Sequence, residues 1–264
     1  MSALTNRLQA AVALAGEAGA LAVRMRPAPG AASLKGRQDW LTEADGAVER
    51  FLAERLGTLF PGDGFQGEEG GVARDGALRW VVDPIDGTSN YARGGARWCV
   101  SLGLLDGNRV VAGVLCAPAL GDLYAAAEGG GATLNGQPIR AAGTAELGRA
   151  IVEAGWSPRV PPDDYLLLCR RLLDAGVMLR SGGSGALGLA EVAAGRMDGY
   201  VERHINLWDC AGALAVLQEA GAACSPFVEQ WGAAGGPLMA AAPGVAEALA
   251  AAAAAPSPPG RGLG

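Results

Sequence analysis

Arg79-Trp80-Val81-Val82-Asp83-Pro84-Ile85-Asp86-Gly87-Thr88 carries a β-rich apolar run directly into two carboxylates three residues apart. The Asp-Pro step disfavours helix at Asp83, so 79–82 reads as a buried strand that ends in a loop. Two like charges at the end of a buried strand repel each other, and burying them together is costly unless a cation compensates. Oxygen ligands of this kind suit Mg²⁺ best. Gly87 lets the backbone turn closely, and the amides from Gly87 onward, at the start of a possible helix, are placed to donate to a phosphate oxygen. The same residues also make an Asp-Pro turn followed by a helix cap, and a D-x-x-D spacing alone leaves both readings open.

Two further acidic segments flank this one. Gly67-Glu68-Glu69-Gly70 sets adjacent acids between glycines, which suits a loop delivering one carboxylate inward and equally a solvated surface turn. Trp208-Asp209-Cys210-Ala211-Gly212 precedes an apolar helix, where Asp209 has the position of an N-cap.

Around these segments the chain divides in two. Leu4, Leu8, Val12, Ala15, Gly19, Ala22 and Met25 recur at helical spacing and predict an amphipathic helix ending near Pro27. A second helix opens at Thr42, with Asp45 as a capping partner, and buries Val48, Leu52, Leu56 and Leu59 before Pro61-Gly62. Apolar runs at 98–105, 110–116 and 123–127, broken by turn residues, predict an antiparallel meander. From about 150 the pattern alternates: strands near 151–154, 177–180 and 198–202, helices near 164–175, 184–194 and 209–220. We therefore expect an α/β (α+β) fold with an N-terminal sub-domain, 1–145, carrying most of the acids. A C-terminal α/β sub-domain, 146–250, completes it, with a ligand cleft between the two. The last stretch, Ala-rich from Ala250 and then Pro/Gly-rich, predicts a frayed helix end and a disordered tail over 251–264.

The bulk properties narrow the function. A chain of 264 residues, half of them hydrophobic, is long enough to bury a substantial core. A net charge of -6 argues against nucleic acid or an anionic membrane as the main partner. For a phosphate-binding protein that charge calls for bound cations, which reverse the field of a carboxylate cluster. Five scattered cysteines with no C-x-x-C spacing point away from disulfides and structural zinc. Neither a signal-peptide pattern nor an uncharged run of about 18 strongly apolar residues is present, so a reduced cytoplasm is the expected location.

The ordered segments E-E, D-P-I-D-G-T and W-D-x-x-G resemble the signature of the inositol monophosphatase family, the lithium-sensitive, metal-dependent phosphatases. The likeness extends through Asp39-Trp40-Leu41-Thr42-Glu43-Ala44-Asp45, Gly182-Gly183-Ser184-Gly185-Ala186 and Asp198-Gly199-Tyr200-Val201-Glu202, covering 33 to about 225. The resemblance implies a layered α/β/α/β/α sandwich of the inositol monophosphatase and fructose-1,6-bisphosphatase type, and a homodimer. By similarity, Glu68, Asp83 and the carbonyl of Ile85 hold one Mg²⁺, and Asp83, Asp86 and Asp209 a second. A third, weaker ion sits near Glu68. Catalysis falls to Glu68, Asp83 and Thr88, the last orienting the attacking water. Asp86, Gly87, Thr88, Gly183, Ser184 and Asp209 bind the substrate, and Glu202 binds a substrate hydroxyl or amine.

The chemistry so implied is hydrolysis by metal-activated water, with no covalent phosphoenzyme. The absence of a P-loop or a C-x-x-x-x-x-R phosphate loop fits this route. Inositol 1-phosphate is the representative small phosphorylated substrate. Histidinol phosphate is the alternative, then a 3'(2'),5'-bisphosphate nucleotidase or fructose-1,6-bisphosphatase activity, and a non-catalytic binding protein of the same fold is the reading from a different class. Selection falls to 156–164, 183–186 and 202–206, where one mispaired polar group decides preference. His204, the only histidine, suits a polar loop position or a substrate contact in the cleft. Lys35, the only lysine, stands near the predicted metal mouth. Trp156 and Trp231 are candidates for pocket walls, although core packing is the commoner use of tryptophan.

Overall fold

The computed structural model describes residues 3–26, 33–36 and 39–254. In chain order the elements are α1 (Ala3–Met25), β1 (Ser33–Gly36), β2 (Asp39–Leu41), α2 (Glu43–Leu59), β3 (Gly64–Gly67), β4 (Gly71–Arg74), β5 (Leu78–Asp86) and α3 (Thr88–Ala92). The meander comprises β6 (Cys99–Asp106), β7 (Arg109–Ala117), β8 (Asp122–Ala127), β9 (Ala132–Leu134) and β10 (Gln137–Pro138). Then come β11 (Ile151–Ala154), α4 (Pro162–Asp174), β12 (Met178–Arg180), α5 (Gly185–Ala193), β13 (Gly199–Ile205) and α6 (Leu207–Glu219). The last elements are β14 (Ala223–Cys224), α7 (Phe227–Gln230), β15 (Gly236–Ala241) and α8 (Ala246–Ala254).

The first large sheet runs β10-β9-β8-β7-β6-β5-β3-β4, and the second β12-β11-β13-β15-β14. Apolar faces on both sides of each sheet must be covered by helices, and the three cores show how. Leu14, Ala15, Ala18 and Ala22 of α1, with Val48, Leu52 and Leu56 of α2, pack on one face of the first sheet. α5 and α6 fill the space between the sheets. α4 and α8 cover the outer face of the second sheet through Leu168, Leu172 and Leu249. The layers are therefore helix, sheet, helix, sheet, helix, the sandwich expected from the resemblance. Among the described residues α1 alone is long and apolar enough to cross a membrane by length and composition; in the fold its small-residue stripe is core.

Close packing of α6 depends on residues without side-chain bulk. A Cβ at Gly113 of β7 would overlap the Gly212 carbonyl oxygen, and one at Gly103 of β6 would lie 2.6 Å from the Ala211 methyl. The helix thus rests almost on the sheet backbone, which brings its first turn beside the end of β5.

Several features of the fold differ from the expectations drawn from sequence, and Leu59, at the end of α2, is exposed rather than buried. β5 does not stop at Val82 but continues to Asp86, with a register shift against β6 between Asp83 and Asp86. Pro84 falls inside that shift, where a missing N–H does least harm to the ladder. The 33–41 region forms a β1-β2 hairpin, although its side chains, that of Lys35 included, lie outside the described part of the chain. Helix α8 reaches Ala254, past the expected start of the tail at 251, and 255–264 lie outside the described residues.

Candidate functional site

Alternation along β5 decides where Asp83 goes. Trp80 and Val82 belong to the core under α1 and α2, whereas Val81 belongs to the core shared with α6. Asp83, two residues after Val81, faces the same way. It is 2% exposed, and its Oδ1 accepts the Ile85 amide at 2.9 Å. Burial drives its pKa well above the carboxylate range, and the charges of Glu68, Asp86, Asp209 and Asp45 add to the rise. Acids from a hairpin turn, a strand end and two helices therefore lie within electrostatic reach of one buried carboxylate.

Glu68 is delivered by the β3-β4 hairpin. Parallel pairing of β3 with β5 sets Gly67 beside Val82, and the Glu68 amide donates to the Val82 carbonyl at 3.2 Å. Glu49 of α2 fixes the turn by accepting the amides of Glu69 at 2.8 Å and Gly70 at 2.7 Å. The Glu68 side chain lines the cleft.

Asp86 meets the start of α5. Its Oδ2 accepts the Ser184 hydroxyl and, at 2.9 Å, the Ala186 amide, and its Oδ1 accepts the Gly185 amide at 3.3 Å. Ser184 is the N-cap of α5 and accepts the Leu187 amide. Burial and the charge of Asp209 raise the Asp86 pKa to about 7 against the pull of these hydrogen bonds. Gly87 turns the chain at φ 91°, and a Cβ there would stand 2.8 Å from the Arg97 carbonyl oxygen, so only glycine fits.

Thr88 opens α3 with its hydroxyl 2.9 Å from the Ile85 carbonyl and 3.3 Å from Asp45 Oδ1. Asp45 is buried, and its other oxygen accepts both the amide and the hydroxyl of Thr42. Its pKa is raised, chiefly by burial. In sequence Asp45 shows only as the capping partner of Thr42; the added contact with Thr88 spans 43 residues and leaves no local signal.

Asp209 is not the N-cap of α6. Asn206 is, and Asp209 stands three residues in, accepting the Asn206 amide at 2.9 Å and its side-chain Nδ2 at 3.0 Å. Burial raises its pKa, while the Asn206 hydrogen bonds and the charge of Arg159 pull it down. Glu202 on β13 is 7% exposed and accepts the Tyr200 hydroxyl. Burial brings its pKa to about 8, with the charges of Asp209 and Asp86 contributing.

These elements enclose a cleft of about 560 Å³ lined by Glu68, Asp86, Gly87, Thr88, Gly183, Ser184, Glu202 and Asp209. Asp83 and Ile85 lie buried behind it. Trp156 forms part of the wall, 36% exposed and edge-on to Tyr165 at 5.0 Å, rather than packing in the core. Trp231 is also exposed, away from the cleft. His204 is on strand β13 instead of a loop and lines a separate depression.

Among the described residues no three acidic, histidine or cysteine side chains form a ready-made metal cage. Asp83, Asp86 and Asp209 are each turned onto a backbone N–H donor, of Ile85, Ala186 and Asn206 respectively. The donor set is nevertheless all oxygen, and the raised pKa values come first from burial and, at Asp83 and Asp86, also from neighbouring like charge that those donors leave uncompensated. That chemistry fits a hard divalent cation.

A second network, without a counterpart in the sequence pattern, holds the 182–184 loop. Arg97 donates to both Glu191 oxygens at 2.8 Å and to Glu153. Glu153 in turn accepts the Gly182 amide at 2.9 Å. Asn90 Nδ2 reaches the carbonyls of Arg97 at 2.8 Å and Gly182 at 2.9 Å. A Cβ at Gly182 would run into the Arg97 guanidinium.

Known proteins share this fold. The model of the inositol monophosphatase family matches residues 3–257. The inositol-1-monophosphatase of Rhizobium meliloti is 39% identical over 194 residues, covering 72% of this chain and 73% of the relative. The Nus factor SuhB of Xylella fastidiosa is 37% identical over 191 residues, covering 71% and 69%. The solved inositol monophosphatase from Anabaena superposes with a TM-score of 0.83 at 31% identity, covering 95% of this chain and 96% of that one. With sequence and fold in agreement, the chain belongs to the inositol monophosphatase family of phosphoric monoester hydrolases.

Proposed function

We propose that this chain hydrolyses a small phosphate monoester of the inositol 1-phosphate type in a Mg²⁺-dependent reaction. The observation that carries this is the crowding of Glu68, Asp86, Asp209 and Asp45 around the buried Asp83. Glu68, Asp83, Asp86, Asp209 and the Ile85 carbonyl would hold the ions, two or three in number. When bound, Mg²⁺ would acidify a water near neutral pH and neutralise phosphoryl charge.

The protein's own groups do the rest. The Thr88 hydroxyl, held between the Ile85 carbonyl and Asp45, is a fixed acceptor for the attacking water once its proton leans toward Asp45. Glu68 faces the same cleft and orients that water from the other side. The Ser184 hydroxyl and the amides at the start of α5 offer donors to a phosphate oxygen when Asp86 turns toward a cation. A pKa of about 8 keeps Glu202 protonated near neutrality, so its carboxyl both donates to and accepts from hydroxyls. This favours a neutral polyol over an ammonium-bearing alcohol as the leaving group, and hence inositol 1-phosphate over histidinol phosphate.

The same reading makes the protein a cytoplasmic homodimer. The described cysteines are all free, as a reducing compartment maintains them. Leu166 and Leu173 on α4 and Met178 on edge strand β12 are more than half exposed, an apolar face suited to a second copy.

Asp86→Asn, assayed by phosphate release from inositol 1-phosphate over a Mg²⁺ series, is expected to lose about a hundredfold or more in kcat/KM. Unchanged turnover would remove the metal mechanism. No turnover by the parent on any of a panel of phosphate monoesters would favour a binding role for the same fold.

A further inference from the structure

A second depression, of about 610 Å³, lies between the 159–161 segment, α4 and β13. Its charge runs against the composition of the chain, which is acidic overall. Arg159, Arg171, Arg203 and His204 line it, with Asp164 as the single acid. Among the described residues none of these three arginines is ion-paired to a carboxylate. Arg171 and Arg203 instead share one acceptor, the Ala253 carbonyl in the last turn of α8, at 3.3 Å and 2.8 Å. Helix C-termini attract cations, but two guanidiniums on one carbonyl leave most of their donors unused. Arg171 Nε is buried with no hydrogen-bond partner. Like charges are thus held together with spare donors, the mirror image of the acidic cluster, and an anion relieves them as a cation relieves the carboxylates.

We propose that this depression binds a phosphate-class oxyanion, either free inorganic phosphate or the phosphate group of a small metabolite, through Arg159, Arg171 and Arg203. Planar guanidinium forks match tetrahedral oxyanions, and the cavity is within the range of small-molecule sites, roughly 300–1,000 Å³. Burial and the nearby charge of Arg159 hold the His204 imidazole below its usual pKa, so an anion placed among these groups raises it.

The only histidine of the chain gives a single imidazole signal, which makes NMR the direct test. The full chain is titrated with sodium phosphate in the presence of EDTA, so that the acidic cleft repels the anion, and with sodium chloride at matched ionic strength. The expected result is a saturable shift of the His204 resonances and an upward move of its pKa with phosphate only. Arg159 is exposed and its side chain makes no hydrogen bond among the described residues, so Arg159→Gln should stay folded and bind phosphate at least about tenfold more weakly. A repeat with a sugar phosphate separates the sources: a tighter response identifies a metabolite, an equal one the free ion. A His204 response to phosphate no larger than that to chloride overturns the proposal in the wild-type protein alone, as does undiminished affinity in Arg159→Gln.

Discussion

Arg97 and Asp83 are both charges withdrawn from water, and they meet the cost differently. Arg97 is matched by two carboxylates, Glu153 and Glu191, in a bidentate and cross-linked arrangement. Asp83 is surrounded by charge of its own sign. The first is a positioning device, because Glu153 passes the constraint on to Gly182, next to the cleft residues Gly183 and Ser184. Replacing Arg97 by Met leaves Glu153, 3% exposed at its side chain, without its partner and frees the loop. We expect Arg97→Met to raise KM about tenfold with kcat changed much less, and Arg97→Lys, which keeps the charge but not the fork, to recover part of the loss. Steady-state kinetics on a folded variant decides it; a KM equal to that of the parent shows that the network serves folding only.

At the scale of elements, the site depends on how closely α6 approaches the first sheet, because that helix carries Asp209. Gly113→Ala forces a methyl into the Gly212 carbonyl, and the expected outcome is a loss of at least about 1–3 kcal/mol, read from the urea midpoint. Elements with a strong local signal were legible in the sequence. The apolar stripe of α1 and the Thr42–Asp45 capping pair of α2 are examples, since both depend on residues within a few positions. β15 left no such trace: Gly236-Pro237-Leu238-Met239-Ala240-Ala241 has little β propensity, and it is a strand because β13 and β14 pair with it from both sides. The same division holds for the site. The four convergent acids sit in recognisable segments, whereas the Asp45–Thr88 contact, the Arg97 network and the exposure of Trp156 arise only when distant layers meet.

On the scale of the whole molecule, five alternating layers bring Glu68, Asp83, Asp86 and Asp209 together from segments remote in sequence, and stability bears the repulsion. Folded Asp86 keeps its proton to about pH 7 and Glu202 to about pH 8, while an unfolded chain releases such protons at about pH 4. Between those limits the folded state binds more protons than the unfolded one. The stability these groups contribute is therefore fully present below about pH 4 and is lost as pH rises through 7 and 8. On the proposed function Mg²⁺ would bind the deprotonated carboxylates, and its stabilising effect is then expected to grow across the same window. The melting temperature of the wild-type protein, measured from about pH 5 to about pH 8.5 in EDTA and again in saturating Mg²⁺, tests this most directly. Convergent acids relieved by a cation predict a fall with pH in EDTA and a gap in favour of Mg²⁺ that widens toward alkaline pH. Two parallel curves, with no added protection from Mg²⁺ at high pH, would contradict it.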